Sequence, residues 1–182
     1  MTYPHKFKHG KQNEEMPKAT FYKIVEQGHF IKHWHKALVV LLWYTGSRIS
    51  ELLELRKQHF TIKDNILYVT VKAKKHGTPR NPFQLHMKLP YVNLIVERTK
   101  RVRGNRKFFP ITRQTAWRII KRVAPKKYPH YFRLNRTVKF LNNPDVTMNE
   151  IRQWMAWKSI KTVDHYLGYS DRTMKKLSEK LE

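Results

Sequence analysis

Tyr44-Thr45-Gly46-Ser47-Arg48-Ile49-Ser50-Glu51-Leu52 breaks one helix and starts another. Upstream, Trp34, Leu38, Leu41 and Leu42 recur at helical spacing and predict a helix over residues 32–44. Thr45-Gly46-Ser47 interrupts it, and Ser47 is the expected N-cap of a new helix whose apolar side is Ile49, Leu52 and Leu53. Arg48 then falls in the first turn after a glycine, where its planar fork can hold two oxygens of one phosphate. Taken alone, such an arginine is more often a surface or ion-paired residue.

The segments on either side change period. Residues 20–27 read as a short helix capped by Thr20 and stopped by Gly28. Residues 1–18 carry Gly10, Pro4 and Pro17 without periodicity and read as a basic arm or linker remnant. Downstream, residues 60–62, a turn at Lys63-Asp64-Asn65 and residues 66–71 predict a hairpin rich in β-branched and aromatic residues. A third strand over 81–85 follows a basic loop that holds Lys72, Lys74, Lys75 and Arg80. Helices are then expected over 91–103, 112–123, 130–142 and 147–156, the last opened by the capping box Thr147-x-x-Glu150. A short turn or helix over 159–166 and an amphipathic tail over 170–182 (Met174, Leu177, Leu181) close the chain. The fold class expected is α+β, mainly α-helical, with a small three-stranded antiparallel sheet: one domain over 19–182 after the arm.

Charge indicates the partner. The 182 residues hold 38 Lys and Arg against 13 Asp and Glu, a net charge of +25. Between residues 65 and 144 there are twenty Lys and Arg and one acid, Glu97, so this block nets +19 while the other 102 residues net +6. A polyanion is implied, and nucleic acid before a membrane, because phosphate neutralisation releases counterions and no run of about 18 apolar residues exists. The N-terminus lacks the apolar segment of a secretory signal, which implies a cytoplasmic or nucleoid-associated protein. With no cysteine, disulfides, thiolate metal sites and cysteine nucleophiles are excluded. His29, His33 and His35 form a histidine-rich run, but without nearby acidic ligands it reads as a solvated helix face and not a metal site. No Walker loop or carboxylate cluster for a two-metal nuclease is present.

Three further segments carry groups that phosphodiester chemistry would need. The hairpin loop offers Lys72, Lys74 and Lys75 as proton donors or simply as backbone contacts. His130-Tyr131-Phe132-Arg133 places an imidazole and a guanidinium three residues apart on one helix face. Trp157 precedes Tyr166 by nine residues, and a tyrosine becomes a covalent nucleophile when cations and a base stabilise its phenolate.

An arginine in T-G-x-R-x-S-E-L, a lysine in a following hairpin, H-x-x-R, and an aromatic residue nine before a tyrosine together resemble the tyrosine recombinase (phage integrase) family over about residues 30–168. The resemblance implies that Arg48 and Arg133 grip the scissile phosphate, and that Lys74 protonates the departing 5′ oxygen. By the same resemblance His130 assists proton transfer, Trp157 takes the slot usually held by a histidine, Tyr166 attacks and Glu51 buttresses Arg48. Lys72, Lys75, Arg80 and Arg136 would contact DNA. It further implies a site-specific recombinase or integrase of a mobile element acting on double-stranded DNA, with no cofactor or metal. Such an enzyme would be a monomer in isolation and assemble into a synaptic tetramer on DNA. Leu134 stands where many members have histidine, Tyr169 is a second candidate nucleophile, and the family's usual N-terminal core-binding domain is expected to be absent. The competing expectations are a type IB topoisomerase-like nicking and resealing enzyme and a non-catalytic basic DNA- or RNA-binding module.

Overall fold

The computed structural model describes residues 15–72, 81–163 and 166. Its element order is α1 (Lys18–Gln27), α2 (Trp34–Thr45), α3 (Ile49–Leu52), β1 (Phe60–Lys63), β2 (Ile66–Val69), β3 (Phe83–His86), α4 (Val92–Arg101), α5 (Arg113–Val123), α6 (Pro129–Leu141) and α7 (Met148–Met155). Short 3-10 turns occupy Lys57–His59 and Ile160–Val163. The α+β class and the three-stranded sheet expected from the sequence are both present.

The central element is α2. Leu38 to Leu42 are five consecutive apolar residues, so this helix has no polar face, and all five are fully buried. It packs between α4 and α6, with α1 laid across it. Phe21 of α1 stacks on Trp43 with ring centroids 4.3 Å apart. The α4 and α5 helices are amphipathic instead, burying Val92, Ile95 and Val96, and Ala116, Ile119 and Ile120, while Lys100, Arg101, Arg113, Arg118 and Arg122 are exposed.

In the sheet, β2 lies between β1 and β3, both antiparallel to it. Leu67 pairs with Leu85 and Val69 with Phe83, so the alternation of the sequence puts four apolar side chains on the core face. The β1–β2 turn uses Asp64 and Asn65, both at positive φ (49° and 58°), the combination a two-residue hairpin needs and these residue types tolerate.

A smaller apolar cluster of Leu141, Ile151, Met155, Trp157 and Val163 lies beneath α7, with Tyr166 packed on it. Trp154 belongs to the edge of both clusters and joins them.

Several sequence expectations are corrected. The arm reading ends too late: Met16 is 2% exposed, and its N–H donates to Asn135 Oδ1 at 2.7 Å. The first helix begins at Lys18, with Pro17 and not Thr20 at its N-cap. The cap of α3 is Arg48, not Ser47; Ser47 is buried and gives its N–H to Thr45 Oγ1. The histidine run is not uniformly solvated, because His35 is buried against Trp34 and burial, with Lys32 and Arg122 nearby, holds its pKa below the ordinary value. The capping box at Thr147 forms as expected, with the Thr147 N–H donating to Glu150 Oε2 and the Glu150 N–H to Thr147 Oγ1. The amphipathic tail, Tyr169, and Lys74, Lys75 and Arg80 lie outside the described residues.

Candidate phosphodiester site

The C-terminal end of α2 leaves carbonyls without helical partners, as every helix end does. Here side chains from α6 and α7 take them. Arg136 donates Nε–H and Nη2–H to the Trp43 carbonyl at 3.0 and 2.6 Å. The Trp154 indole N–H reaches the Thr45 carbonyl at 2.9 Å, and Arg133 Nη1 the Gly46 carbonyl at 3.0 Å. Arg133 Nη2 also donates to the Met155 carbonyl at 2.7 Å, so one buried guanidinium ties α2 to α7.

Gly46 makes this clamp sterically feasible. It closes α2 at φ 60°, and a Cβ there would stand 2.9 Å from Arg136 Cβ. The chain turns at Gly46 and delivers Arg48 two residues beyond it, as the N-cap of α3. Glu51, buried one turn further on, accepts from Arg48 twice: Nη1 at 2.8 Å on Oε1, and the backbone N–H at 3.1 Å on Oε2. The arginine side chain remains 31% exposed, so its guanidinium is braced from behind and open in front.

What it opens onto is a cavity of about 580 Å³ shared with His130 and Arg133. Arg48 comes from the α2–α3 bend and the other two from the first turns of α6, so the HxxR spacing does put imidazole and guanidinium on one side. No carboxylate lines this cavity among the described residues. His130 has its pKa lowered by desolvation first, then by the charges of Arg133 and Arg48. The residue is exposed on the surface of α6, and the two neighbouring cations favour the neutral form. A cavity lined by Arg48, His130 and Arg133 is chemically suited to a phosphate: the open part of Arg48 offers donors, the buried Arg133, whose Nη1 and Nη2 serve backbone carbonyls, adds positive charge, and the imidazole is a base within the same wall.

Trp157 and Tyr166 are not among the residues that line this cavity; Trp157 lines a separate one with Phe83, Gln84, Arg152 and Trp154. Trp157 is 5% exposed, lies under the Arg133 guanidinium with 5.7 Å to its centroid, and stacks on the Tyr166 ring at 5.1 Å and 24°. The indole thus links arginine and tyrosine by packing. Lys72, the last described residue of the basic loop, is exposed.

Arg136, expected to contact DNA, makes structural contacts in the fold. Its guanidinium lies among the rings of Trp43, Tyr44 and Phe140, and burial lowers its pKa to about 10. Four lining residues escaped the sequence reading: Tyr128 and Pro129 just before His130, and Arg113 and Trp117, one turn apart on α5. The available signal was a tryptophan on the polar face of an amphipathic helix; Trp117 is 47% exposed.

Comparison with known families resolves the affiliation. The family model described as the phage integrase family matches residues 14–172, most of the chain. The chain belongs to the phage integrase family. Solved structures share the fold of this integrase-family domain at low sequence identity. XerH site-specific recombinase bound to palindromic difH substrate superposes with a TM-score of 0.71 at 16% identity, over 92% of this chain and 53% of that one. XerA recombinase gives 0.68 at 19% identity, over 93% and 65%. The Tn1549 transposon integrase in complex with circular intermediate DNA gives 0.68 at 16%, over 96% and 66%. The chain therefore spans about half to two thirds of the length of these structures. No curated protein matches it. Among the described residues no helix is long and apolar enough to cross a membrane.

Proposed function

We propose that this integrase-family domain cuts and rejoins double-stranded DNA at a specific site by passing one strand through Tyr166. The observation that carries the reading is the convergence of Arg48, His130 and Arg133, drawn from two distant segments, on one cavity with no lining acid among the described residues.

In this reading the scissile phosphate occupies that cavity. Arg48 and Arg133 take its non-bridging oxygens and stabilise the charge that accumulates on them as phosphorus becomes five-coordinate. The Tyr166 oxygen attacks phosphorus and the bond to the 5′ oxygen breaks, leaving a 3′-phosphotyrosine and a free 5′ hydroxyl. His130, neutral between two cations, accepts the phenolic proton. A lysine of the hairpin loop, Lys74 by its resemblance, gives a proton to the departing oxygen. The phosphotyrosine keeps the energy of the original ester, so attack by a 5′ hydroxyl rejoins a strand without ATP. Tyr166 reaches the phosphate by turning off the Trp157 ring on which it stacks. The solved relatives described as bound to DNA substrates support DNA as the partner, and the lambda integrase dimer on a core site supports association of copies on DNA. The working location is then the nucleoid or the DNA of a mobile element.

The test is a nicked duplex that traps the cleaved strand. The chain forms a denaturant-resistant protein–DNA adduct in EDTA, and Tyr166→Phe abolishes it. An adduct of unchanged yield in that variant would overturn the assignment.

A further inference from the structure

We propose that the end of α2 remote from the cavity carries a second site for the sugar–phosphate backbone of duplex DNA. Arg133 bonds Gly46 at one end of α2, and at the other end the Arg98 guanidinium lies over the Trp34 ring, 5.0 Å from its centroid. The twelve residues of α2 separate these points by about 18 Å at 1.5 Å per residue.

Around Arg98 the surface is concave and cationic. A cavity of about 650 Å³ is lined by Arg98, Arg101, Arg103, Arg106 and Lys107 together with Val102 and Pro110. It adjoins a second hollow at Lys32, His33 and Trp34, with Arg98 and Arg101 in both walls. Two carboxylates are close: Glu97 lines the smaller hollow, and Glu54 lies 3.6 Å from Lys107. They leave Arg101, Arg103 and Arg106 exposed, and among the described residues no carboxylate lines the larger concavity.

The platform is built, not a loose charge run. Gly104 turns the chain at φ 55°, Phe108 and Phe109 are fully buried, and the Phe108 N–H donates to the Leu55 carbonyl at 2.7 Å. Arg98 fixes the same segment by donating Nε–H and Nη2–H to the Phe108 carbonyl at 3.1 and 3.0 Å. Arg56 donates to the Asn105 carbonyl, and an isolated bridge joins Arg56 to Lys107.

The lining chemistry selects the ligand. Like charges held this close repel unless a polyanion neutralises them, and four of the five cations are arginines, whose forks match phosphate oxygens. The larger concavity offers no aromatic face for an unstacked base, which argues against single strands. It also lacks the large apolar centre of a protein interface, whereas backbone contacts to a duplex need none. The site concerns binding and does not require that Tyr166 be the nucleophile.

The experiment uses the full chain and a long duplex of arbitrary sequence, with affinity measured against salt. Arg101→Gln, Arg103→Gln and Arg106→Gln together remove three phosphate contacts and should lower the magnitude of the log–log salt slope by about 2.7. A matched triple at other exposed cations, Lys18→Gln, Lys23→Gln and Lys57→Gln, should change it by less than about one, with melting curves checking that both variants fold. A second labelled duplex retained by protein on an immobilised first one, and lost in the arginine triple, shows that the site takes a separate molecule. Loss of slope without such retention assigns it to the flank of the same duplex. An arginine triple with the parent's slope, or an equal loss in both triples, overturns the proposal. If the parent chain forms no covalent adduct, the cleavage reading fails while the salt slopes still decide this one.

Discussion

Glu51→Gln isolates the brace behind Arg48. The carboxylate accepts from both the Arg48 guanidinium (2.8 Å) and its backbone N–H (3.1 Å), with a side chain that is fully buried. Glutamine keeps the shape but has one oxygen, so one of the two donors faces an NH2 group and the surviving bond loses the negative charge of its acceptor. Losing a hydrogen bond to a charged group costs about 1.5–3 kcal/mol. Water reaching the exposed third of Arg48 favours the low end, about 1.5–2 kcal/mol. For a domain of this length that is a fall of about 3–8 °C in melting temperature. The effect on rate is separate and larger, because an arginine released from its brace no longer meets the phosphate in one orientation. Misplacement on the order of 1 Å can cost about 100-fold. Thermal melting and single-turnover cleavage of the nicked duplex, both on the same preparation, give the two numbers. Equal cleavage rates in variant and parent, at a temperature where both are folded, would refute the brace and leave Glu51 a purely structural residue.

Gly46→Ala should lose about 1–2 kcal/mol from the left-handed backbone alone, with more from the overlap with Arg136, read as a lowered urea midpoint. An unchanged midpoint would mean that the α2 end relaxes freely. Arg136→Ala should destabilise by about 1–3 kcal/mol by stranding the Trp43 carbonyl, while its salt slope on duplex DNA stays that of the parent; a reduced slope would restore the surface role. His130 should titrate below 6.5 in the free protein, and sulfate should raise its pKa, because an anion between Arg48 and Arg133 favours the imidazolium that those cations oppose. An NMR titration insensitive to sulfate would place the anion elsewhere.

The sequence showed the site as spacing and missed it as support. Arg48 after a glycine bend, and His130 with Arg133 one turn apart, were legible because both are local patterns, and local patterns carry the periods of helix and turn. That Arg133 spends donors on Gly46 and Met155 was not legible, since it depends on α6 and α7 meeting the end of α2. For the same reason Arg136 read as one more exposed cation, although its neighbours in space are three aromatic rings. Trp154 drew no notice because the value of its N–H lies in a carbonyl 109 residues earlier. Charge density also misled by being too general: it marked the block from 65 to 144 without separating the cations of the cavity from those at the far end of α2.

The clamp on the α2 carbonyls has a consequence in time. A chain made from its N-terminus first has Arg48 early, but the partners that hold the bend, Arg133, Arg136 and Trp154, emerge only after most of the domain has been synthesised. Until Trp154 and Met155 are in place the bend has no anchor in α7 and Arg133 has one of these two carbonyls to grip. A growing chain therefore presents its basic surface well before Arg48 and Arg133 are held in place, and the fixed bend arrives together with the helix that carries the chain on toward Tyr166.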